Sequence, residues 1–339
     1  MISASKVVDQ YLKLNLTIQA TFGTLICLLP NMKGHKIMKK LAAPAVILAG
    51  ILWGVISIFI RKLSAAGFDS LQICLIRMII ATLCTFVFLL IKSPSLLKIR
   101  LKDIWMFIGT GIISIVLFNS FYFYTMIHSE ASVAVVLLYT SPVFIMILSA
   151  ILFKEKINTR KLLALFATIL GCVPVSGLLS GSHVLTGITL ITGLASGLFY
   201  ALYTIFGKFA LKKYNNATVT AYSFLFGLIG SIPLGRPTAI IKTISCDISL
   251  IFWCIGIGII STALPYIFYT WGLNRMDSGK ASILVAVEPL VGALLGIFFY
   301  DESHDAFKII GILLIILAIV LLSLPERTYP VKKEISSNN

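Results

Sequence analysis

The sequence has few charged residues, and acidic ones are the scarcest. Asp and Glu together number 13 among 339 residues, against 28 Lys and Arg, while hydrophobic residues make up 58% of the chain. Soluble domains carry roughly a quarter of their residues as charged side chains, but the share is 12% here. The composition therefore excludes a soluble globular protein.

Several chemical motifs are also missing. The six cysteines include no CxxC pair, so neither a metal site nor a disulfide framework is predicted. The chain has no GxxxxGKS or GxxxxGKT sequence, which argues against direct use of ATP, and its four histidines form no HExxH. We therefore expect no metal and no cofactor, and a membrane enzyme is only a remote alternative.

Long apolar runs occupy most of the chain instead. A helix needs about 20 apolar residues to cross the hydrocarbon core of a bilayer. Ten such runs are Leu41–Ile60, Leu71–Ile91, Ile104–Ile127, Val133–Phe153, Leu162–Leu179, Ile188–Gly207, Val219–Gly235, Leu250–Leu273, Ala281–Tyr300 and Ile309–Leu324. Because the runs do not alternate between apolar and polar residues, they favour helices over a barrel. We predict an all-α polytopic membrane protein with ten transmembrane helices.

The basic residues lie mostly in alternate connections between these runs, for example in Lys33–Lys40, Lys92–Lys102 and Lys154–Lys161. Cytoplasmic loops of membrane proteins are enriched in Lys and Arg. Both termini are therefore predicted to be cytoplasmic. The predicted location is the plasma membrane, or the inner membrane of a bacterium, which the chain crosses several times. The connections are too short to hold a nucleic-acid-binding module, so no nucleic-acid partner is expected.

The two ends of the chain lie outside the strong apolar runs. The stretch Tyr11–Pro30 is mildly apolar but contains Lys13 and other polar residues, so residues 1–40 are predicted to be an extension that is disordered or forms a peripheral helix. An eleventh span, a signal-like segment and a natural start at Met32 or Met38 are alternatives. Residues 326–339 are predicted to be a cytoplasmic tail.

The two halves of the sequence match each other at a constant offset of 147 residues. Gly50 corresponds to Gly197, Pro142 to Pro289, and GTGIIS from residue 109 to GIGIIS from residue 256. The repeats are predicted to cover residues 41–180 and 187–325, with five spans each. An odd number of spans inverts the second repeat relative to the first. The stretch after the fourth span, KEKINTRK, is basic, and the equivalent stretch after the ninth, DESHDAFK, is acidic, as expected if the two lie on opposite sides of the membrane. We therefore predict an inverted 5+5 repeat.

Inverted repeats are typical of secondary transporters, because two related halves can expose one central site to either side of the membrane in turn. Two alternatives stay open. The duplication could serve packing alone, or the protein could be a passive channel.

One carboxylate lies deep inside an apolar run, in VAVEPLVGALLG from residue 285. A charge at the centre of a membrane helix costs about 2.5 to 3.5 kcal/mol on insertion scales, so Glu288 is predicted to border a cavity. The adjacent Pro289 removes a backbone hydrogen bond, which also suits a polar passage. Glu288 is a candidate for binding a cationic group or exchanging a proton; a protonated carboxyl that serves packing is the alternative. The matching pair in the first half is Ser141 and Pro142.

Further polar and aromatic residues lie at membrane depth. Arg77 is a candidate for pairing with Glu288 or a substrate carboxylate, unless it reaches outward to the headgroups. Asn119 is a second candidate. The aromatic candidates for stacking on a flat or cationic solute are Trp53, Tyr122, Tyr139, Tyr203, Tyr266 and Tyr269. Packing, or a place in an interfacial belt, is the alternative for each ring alone.

Three stretches carry a family resemblance. LLYTSPVFIMILSAILFKEKI from residue 137 and LVAVEPLVGALLGIFFYDES from residue 284 resemble the paired signature of EamA domains, an apolar helix with a proline followed by a membrane-edge glutamate. These glutamates are Glu155 and Glu302. AGILWGVISIFIRK from residue 49 resembles the first helix of that domain. The resemblance covers nearly the whole chain except its tails, and it assigns these glutamates and prolines a structural role.

The resemblance implies the drug/metabolite transporter superfamily, with ten helices around a central cavity. Members move amino acids, related metabolites, nucleotides or drugs, often outward and with proton exchange. We therefore predict a secondary active transporter, an exporter or exchanger, of a small polar metabolite such as an amino acid or a related compound. A multidrug or cation efflux carrier is the alternative. The predicted partners are the substrate and the lipid bilayer, and the sequence leaves proton coupling and a homodimer open.

Overall fold

The structure is a computed structural model that describes residues 35–129, 131–175, 186–300 and 306–323. Every regular element in these ranges is helical, with no strand among them. The all-α class predicted from the sequence is therefore confirmed. Glu302, most of the N-terminal extension and the C-terminal tail lie outside the described residues.

The described residues of the first half form eight α-helices. They are α1 (His35–Gly54), α2 (Ile56–Ala65), α3 (Ser70–Lys92), α4 (Ile104–Ile108), α5 (Leu117–His128), α6 (Ala131–Leu138), α7 (Ser141–Phe153) and α8 (Thr159–Val175). The wider π-helical segment Gly109–Val116 joins α4 to α5, and short 3₁₀ turns at Pro94–Leu97 and Leu101–Asp103 precede α4.

The second half follows the same plan. Its helices are α9 (Gly187–Leu211), α10 (Asn216–Gly235), α11 (Pro237–Cys246), α12 (Leu250–Gly258), α13 (Leu264–Leu273), α14 (Ser278–Leu284), α15 (Val287–Tyr300) and α16 (Ala306–Ser323). A second π-helical segment, Ile259–Ala263, joins α12 to α13 at the position that matches the first one.

Eight helical segments in the described ranges are long and apolar enough to cross a membrane. They are Lys40–Ala65, Ser70–Lys92, Leu101–His128, Val133–Phe153, Gly187–Leu211, Asn216–Gly235, Leu250–Leu273 and Ser278–Phe299. The protein is therefore a polytopic membrane protein. The described helices at the predicted fifth and tenth spans are shorter, because α8 has 17 residues and the apolar part of α16 is Ile309–Ser323.

Polar side chains set where several of these helices begin. Asp69 accepts hydrogen bonds from the backbone N–H groups of Leu71 and Gln72, and Gln72 accepts one from the backbone of Asp69 in return. Thr186 and Thr189 form the same reciprocal pair at the start of α9. Such capping boxes satisfy backbone donors that have no partner within the helix, so the loops end at defined points.

The fourth and ninth spans are each broken near the middle. The break falls at Tyr139–Thr140 in one half and at Val285–Ala286 in the other, and a proline follows each break, Pro142 or Pro289. A proline has no N–H to donate to the carbonyl four residues earlier. At the second break the backbone N–H of Glu288 donates to the Val285 carbonyl instead, at 3.0 Å, in a tighter turn.

Each broken span packs against a glycine of the opposite half. A Cβ atom on Gly50 would lie 2.8 Å from the carbonyl oxygen of Val285, and one on Gly197 would lie 3.3 Å from that of Leu138. Gly109 meets the ring of Phe206, while Gly256 meets the ring of Phe59. All of these contacts exchange partners at the 147-residue offset. Such reciprocal contacts are typical of a two-fold relation between two bodies.

Candidate functional site

A cavity of about 290 Å³ lies between the two halves. Its polar and aromatic lining residues are Trp53, Ser57, Tyr122, Tyr139 and Glu288. The other lining residues are glycines, a proline and aliphatic residues from α1, α2, α6, α8 and α15. A mostly apolar wall with a few polar groups is typical of a small-molecule site.

Glu288 enters this cavity because of the break in the ninth span. It lies in the first turn of α15, directly after the break and before Pro289. A carboxylate in the first turn of a helix is favoured by the helix dipole. The side chain is half-buried, and it is the one charged side chain among the described residues that line the cavity.

A cluster of rings separates this cavity from a smaller one. Trp53 borders both cavities, and its ring centroid lies 5.1 Å from that of Tyr266 and 5.5 Å from that of Tyr269. The smaller cavity measures about 20 Å³ and is lined by Tyr200, Tyr203 and Tyr269 among others. A space of that size is enough for a single water molecule.

The hydroxyl groups in the smaller cavity differ in their bonding. The hydroxyls of Tyr269 and Thr204 lie 2.6 Å apart and share a hydrogen bond. The hydroxyl of Tyr203 has no hydrogen-bond partner among the described residues, although it is buried. A buried polar group without a protein partner is commonly satisfied by water or a ligand, so this hydroxyl is available to whatever occupies the cavity.

Arg77 is near enough to Glu288 to act on its charge but makes its hydrogen bond elsewhere. Its Nε donates a hydrogen bond of 2.9 Å to Oγ1 of Thr262, which is part of the second π-helical segment. Thr262 in turn donates to the carbonyl of Ile257. Arg77 and Glu288 form no ion pair in the described part of the chain. The bond to Thr262 ties α3 to the eighth span, and the pairing of Arg77 with Glu288 or with a substrate carboxylate stays a prediction.

The remaining predicted residues are Asn119, the other cavity candidates and the structural candidates. Asn119 is buried and donates to the carbonyl of Ile115 at 2.6 Å, and it lines neither cavity. The cavity candidates other than Arg77 and Asn119 all line one cavity or the other. Of the structural candidates, Pro142 is buried beside the first break, and Glu155 bonds to the start of α14.

Several contributors were missed by the sequence analysis. Tyr200, Ser57 and Thr262 were not among the predicted site residues. A polar residue one turn from a predicted site residue in the same span is the signal for Ser57, which lies four residues after Trp53 in the span Lys40–Ala65. For Thr262 the sequence holds no such signal, because its contact joins two distant spans.

Ionisable groups outside the spans tie loops together at one end of the bundle. Tyr214 donates a hydrogen bond to Asp103 at 2.7 Å and accepts one from the backbone N–H of Arg100 at 3.0 Å. Lys213 pairs with the same carboxylate. Loss of hydration raises the pKa of Tyr214, and the bond to Asp103 acts in the same direction.

No group of three His, Cys, Asp or Glu that could hold a metal occurs in the described ranges.

Comparison with known proteins identifies one family. Residues 40–177 and 187–324 each match the model of the EamA-like transporter family. An "Uncharacterized transporter" of Archaeoglobus fulgidus is 27% identical over 285 residues, which cover 82% of this chain and 94% of that protein. The "Uncharacterized inner membrane transporter YicL" of Salmonella typhimurium is 26% identical over 287 residues, covering 83% and 95%.

A solved crystal structure shares the fold. It superposes with a TM-score of 0.67 at 16% sequence identity and covers 83% of this chain and 95% of its own. At that identity the likeness concerns the arrangement of helices and does not extend to the solute.

Proposed function

The chain belongs to the EamA-like transporter family, and from that premise we propose that it is a secondary active transporter, an exporter or exchanger of a small polar metabolite. The family match confirms the resemblance seen in the sequence, and the names of the relatives indicate a transporter rather than an enzyme. An amino acid or a related compound would cross the plasma membrane by alternating access. The observation that carries this proposal is a cavity between two halves with reciprocal contacts.

We propose that α8 and α16 complete a set of ten spans. The two helices pack against each other along their length, and a Cβ atom on Gly171 would lie 2.8 Å from the carbonyl oxygen of Gly311. Each half then has five spans, and an odd number inverts the second half relative to the first. Both termini are cytoplasmic in this arrangement, which agrees with the distribution of basic residues.

The larger cavity is the proposed binding site. Its volume of about 290 Å³ is at the lower end of the range of roughly 300 to 1,000 Å³ for ligand pockets. Glu288 offers a carboxylate and Tyr139 and Tyr122 offer hydroxyls, so a solute with an amino group and a hydrogen-bonding group fits this lining. We also propose Glu288 as the group that exchanges a proton for the solute.

A second candidate is a carrier of organic cations. The observation that favours it is the charge of the lining, since Glu288 is accompanied by the aromatic faces of Trp53 and the neighbouring tyrosines and by no cationic side chain among the described lining residues. Aromatic rings attract cations by about 0.5 to 2 kcal/mol. Both proposed carriers would therefore transport a solute with an amino group. A carrier of amino acids requires a carboxyl group on the solute as well, and a carrier of organic cations does not.

Counterflow in proteoliposomes tests the proposed function. Vesicles loaded with unlabelled solute are diluted into labelled solute, and a panel of amino acids and organic cations is tried in turn. We expect labelled solute to accumulate transiently above its external concentration, because a carrier with alternating access exchanges solute across the membrane. A passive channel only brings the labelled solute to equal concentrations on both sides of the membrane. The proposal would be overturned if every solute that enters the vesicles did so without transient accumulation.

A further inference from the structure

A charged network lies at the end of the bundle that is farther from the cavity. Glu155 follows α7, and its carboxylate accepts hydrogen bonds from the backbone N–H of Ser278 at 3.0 Å and from the hydroxyl of Ser278 at 2.9 Å. Its other oxygen accepts a longer bond, 3.4 Å, from the backbone N–H of Gly279. Ser278 and Gly279 are buried, and they belong to the opposite half of the molecule.

Lys208 joins the same network from α9. Its Nζ donates to the carbonyl of Met276 at 2.6 Å and to that of Leu273 at 3.2 Å, and it lies 3.6 Å from Glu155. The last carbonyls of α13 have no donor within their own helix, so an ammonium group is well placed there. Lys208 therefore holds one side of the loop between α13 and α14, and Glu155 holds the other.

A second ion pair fixes the same loop. The Nζ of Lys161 on α8 lies 2.6 Å from the carboxylate of Asp277 and also donates to the carbonyl of Lys156 at 2.9 Å. The side chain of Lys161 is only 5% exposed. Glu155 and Lys161 thus reach from the first half to consecutive residues of the second half, Asp277 and Ser278.

The network and the cavity are at different depths. The helix α7 has 13 residues and lies between the break beside Tyr139 and Glu155, and at 1.5 Å per helical residue it is about 20 Å long. The buried rings of Tyr203, Tyr266 and Tyr269 line the smaller cavity, which shares Trp53 with the larger one. Gly292 on α15, by contrast, faces open space. The network therefore closes the end of the bundle that the cavity does not reach.

We propose that Glu155, Lys208 and Lys161 form a latch on the α13–α14 loop, which holds this end closed while the cavity is reached from the other end. This inference rests on the proposed function. The latch must break before the cavity opens here, because the two halves cannot separate while Glu155 and Lys161 bind the opposite half. Water replaces these partners once the end is open, so the two states can lie close in free energy.

Hydrogen–deuterium exchange of the full-length protein in lipid nanodiscs tests the latch. We expect the Glu155→Gln variant to exchange its amides about tenfold faster across residues 274–284, since hydrogen bonds to a charged group are stronger than neutral ones. Asp247→Asn is the control for the loss of one negative charge, because Asp247 is exposed and bonds only locally to Ser249. Lys161→Met is expected to act like Glu155→Gln, with exposed Lys156→Met as its control.

A milder pair keeps the test decisive if Glu155→Gln does not fold. Ser278→Ala removes one hydrogen bond to Glu155, while Ser282→Ala removes one within α14, to the carbonyl of Gly279. Faster exchange of residues 274–284 in Ser278→Ala alone supports the latch. Equal exchange in the two serine variants would overturn it. No transport is measured, so a failed counterflow assay and a failed latch give separate results.

Discussion

The two halves of the molecule share their backbone contacts and differ in their chemistry. Gly50 meets Val285 in one direction and Gly197 meets Leu138 in the other, and each half has a break followed by a proline. At the position of Glu288, however, the first half has Ser141. The contacts that join the halves are thus duplicated, while the carboxylate in the cavity is single.

The difference follows from what surrounds each group. A Cβ atom on Gly50 would lie 2.8 Å from a backbone carbonyl oxygen, and one on Gly197 would lie 3.0 Å from that of Leu137. Rotation of a side chain does not relieve such a contact, so both positions disfavour a larger residue. A side chain that faces a cavity has room to vary. The matching Ser141 is buried and lines neither of the two cavities, so a carboxylate there would be costly to bury. A duplicated scaffold with one acidic residue is therefore the arrangement that suits a single solute.

Removing the shared contacts should have the largest effect. Gly50→Ala and Gly197→Ala each place a methyl group against the opposite half, and overpacking of this kind typically costs about 1 to 3 kcal/mol. We expect both variants to lower the thermal unfolding midpoint of the detergent-solubilised protein by similar amounts. Gly292→Ala is the control, because a Cβ atom there has no neighbour within 4 Å. A normal midpoint for Gly50→Ala would contradict the reciprocal packing.

Changing the unshared position should affect transport and leave the fold intact. Glu288→Gln keeps the size of the side chain and removes its charge, and the loss of one partner from a buried charge pair lowers affinity by on the order of 30-fold or more. We expect that loss in kcat/KM for an amine solute, measured as the initial rate of counterflow. Ser141→Ala, at the equivalent position, should stay within about threefold of the unchanged protein. Equal losses in the two variants would mean that both halves bind the solute.

Sequence patterns predicted the scaffold well because each span is a local feature. The length and apolarity of a run depend on neighbouring residues, and the 147-residue offset paired Pro142 with Pro289, which follow the two breaks seen in the structure. Depth along a span also singled out Glu288, which the structure places in the larger cavity. The shorter fifth and tenth helices were the exception, since α8 and α16 adjoin residues outside the described ranges.

Contacts between spans were the part that sequence patterns did not predict. Arg77 bonds to Thr262, 185 positions away, and Glu155 bonds to Ser278. Which face of each helix meets which neighbour depends on the rotation of whole helices, and a hydrophobic run that is apolar all round carries little information about that rotation. The same limit applies to Asn119, which lines neither of the two cavities described and whose role at a cavity stays a prediction.

The smallest effect is expected at a pair of tyrosines that the repeat relates, Tyr269 and Tyr122. The hydroxyl of Tyr269 shares a 2.6 Å bond with that of Thr204, which is 2% exposed, so Tyr269→Phe leaves a buried hydroxyl without its partner. We expect a loss of about 1 kcal/mol in the free energy of unfolding. Tyr122 lines the larger cavity and is half-buried, so Tyr122→Phe should change stability by less than about 0.5 kcal/mol.

Chemical denaturation in mixed detergent micelles measures both values, and a double variant with Thr204→Val attributes the loss to the hydrogen bond. If the bond is the cause, Tyr269→Phe costs less in the background of Thr204→Val than in the unchanged protein. Additive losses would assign the effect to packing of the ring instead. Tyr122→Phe could instead lower the free energy of unfolding as much as Tyr269→Phe. That result would show that the two halves share polar side-chain bonds as well as helix contacts.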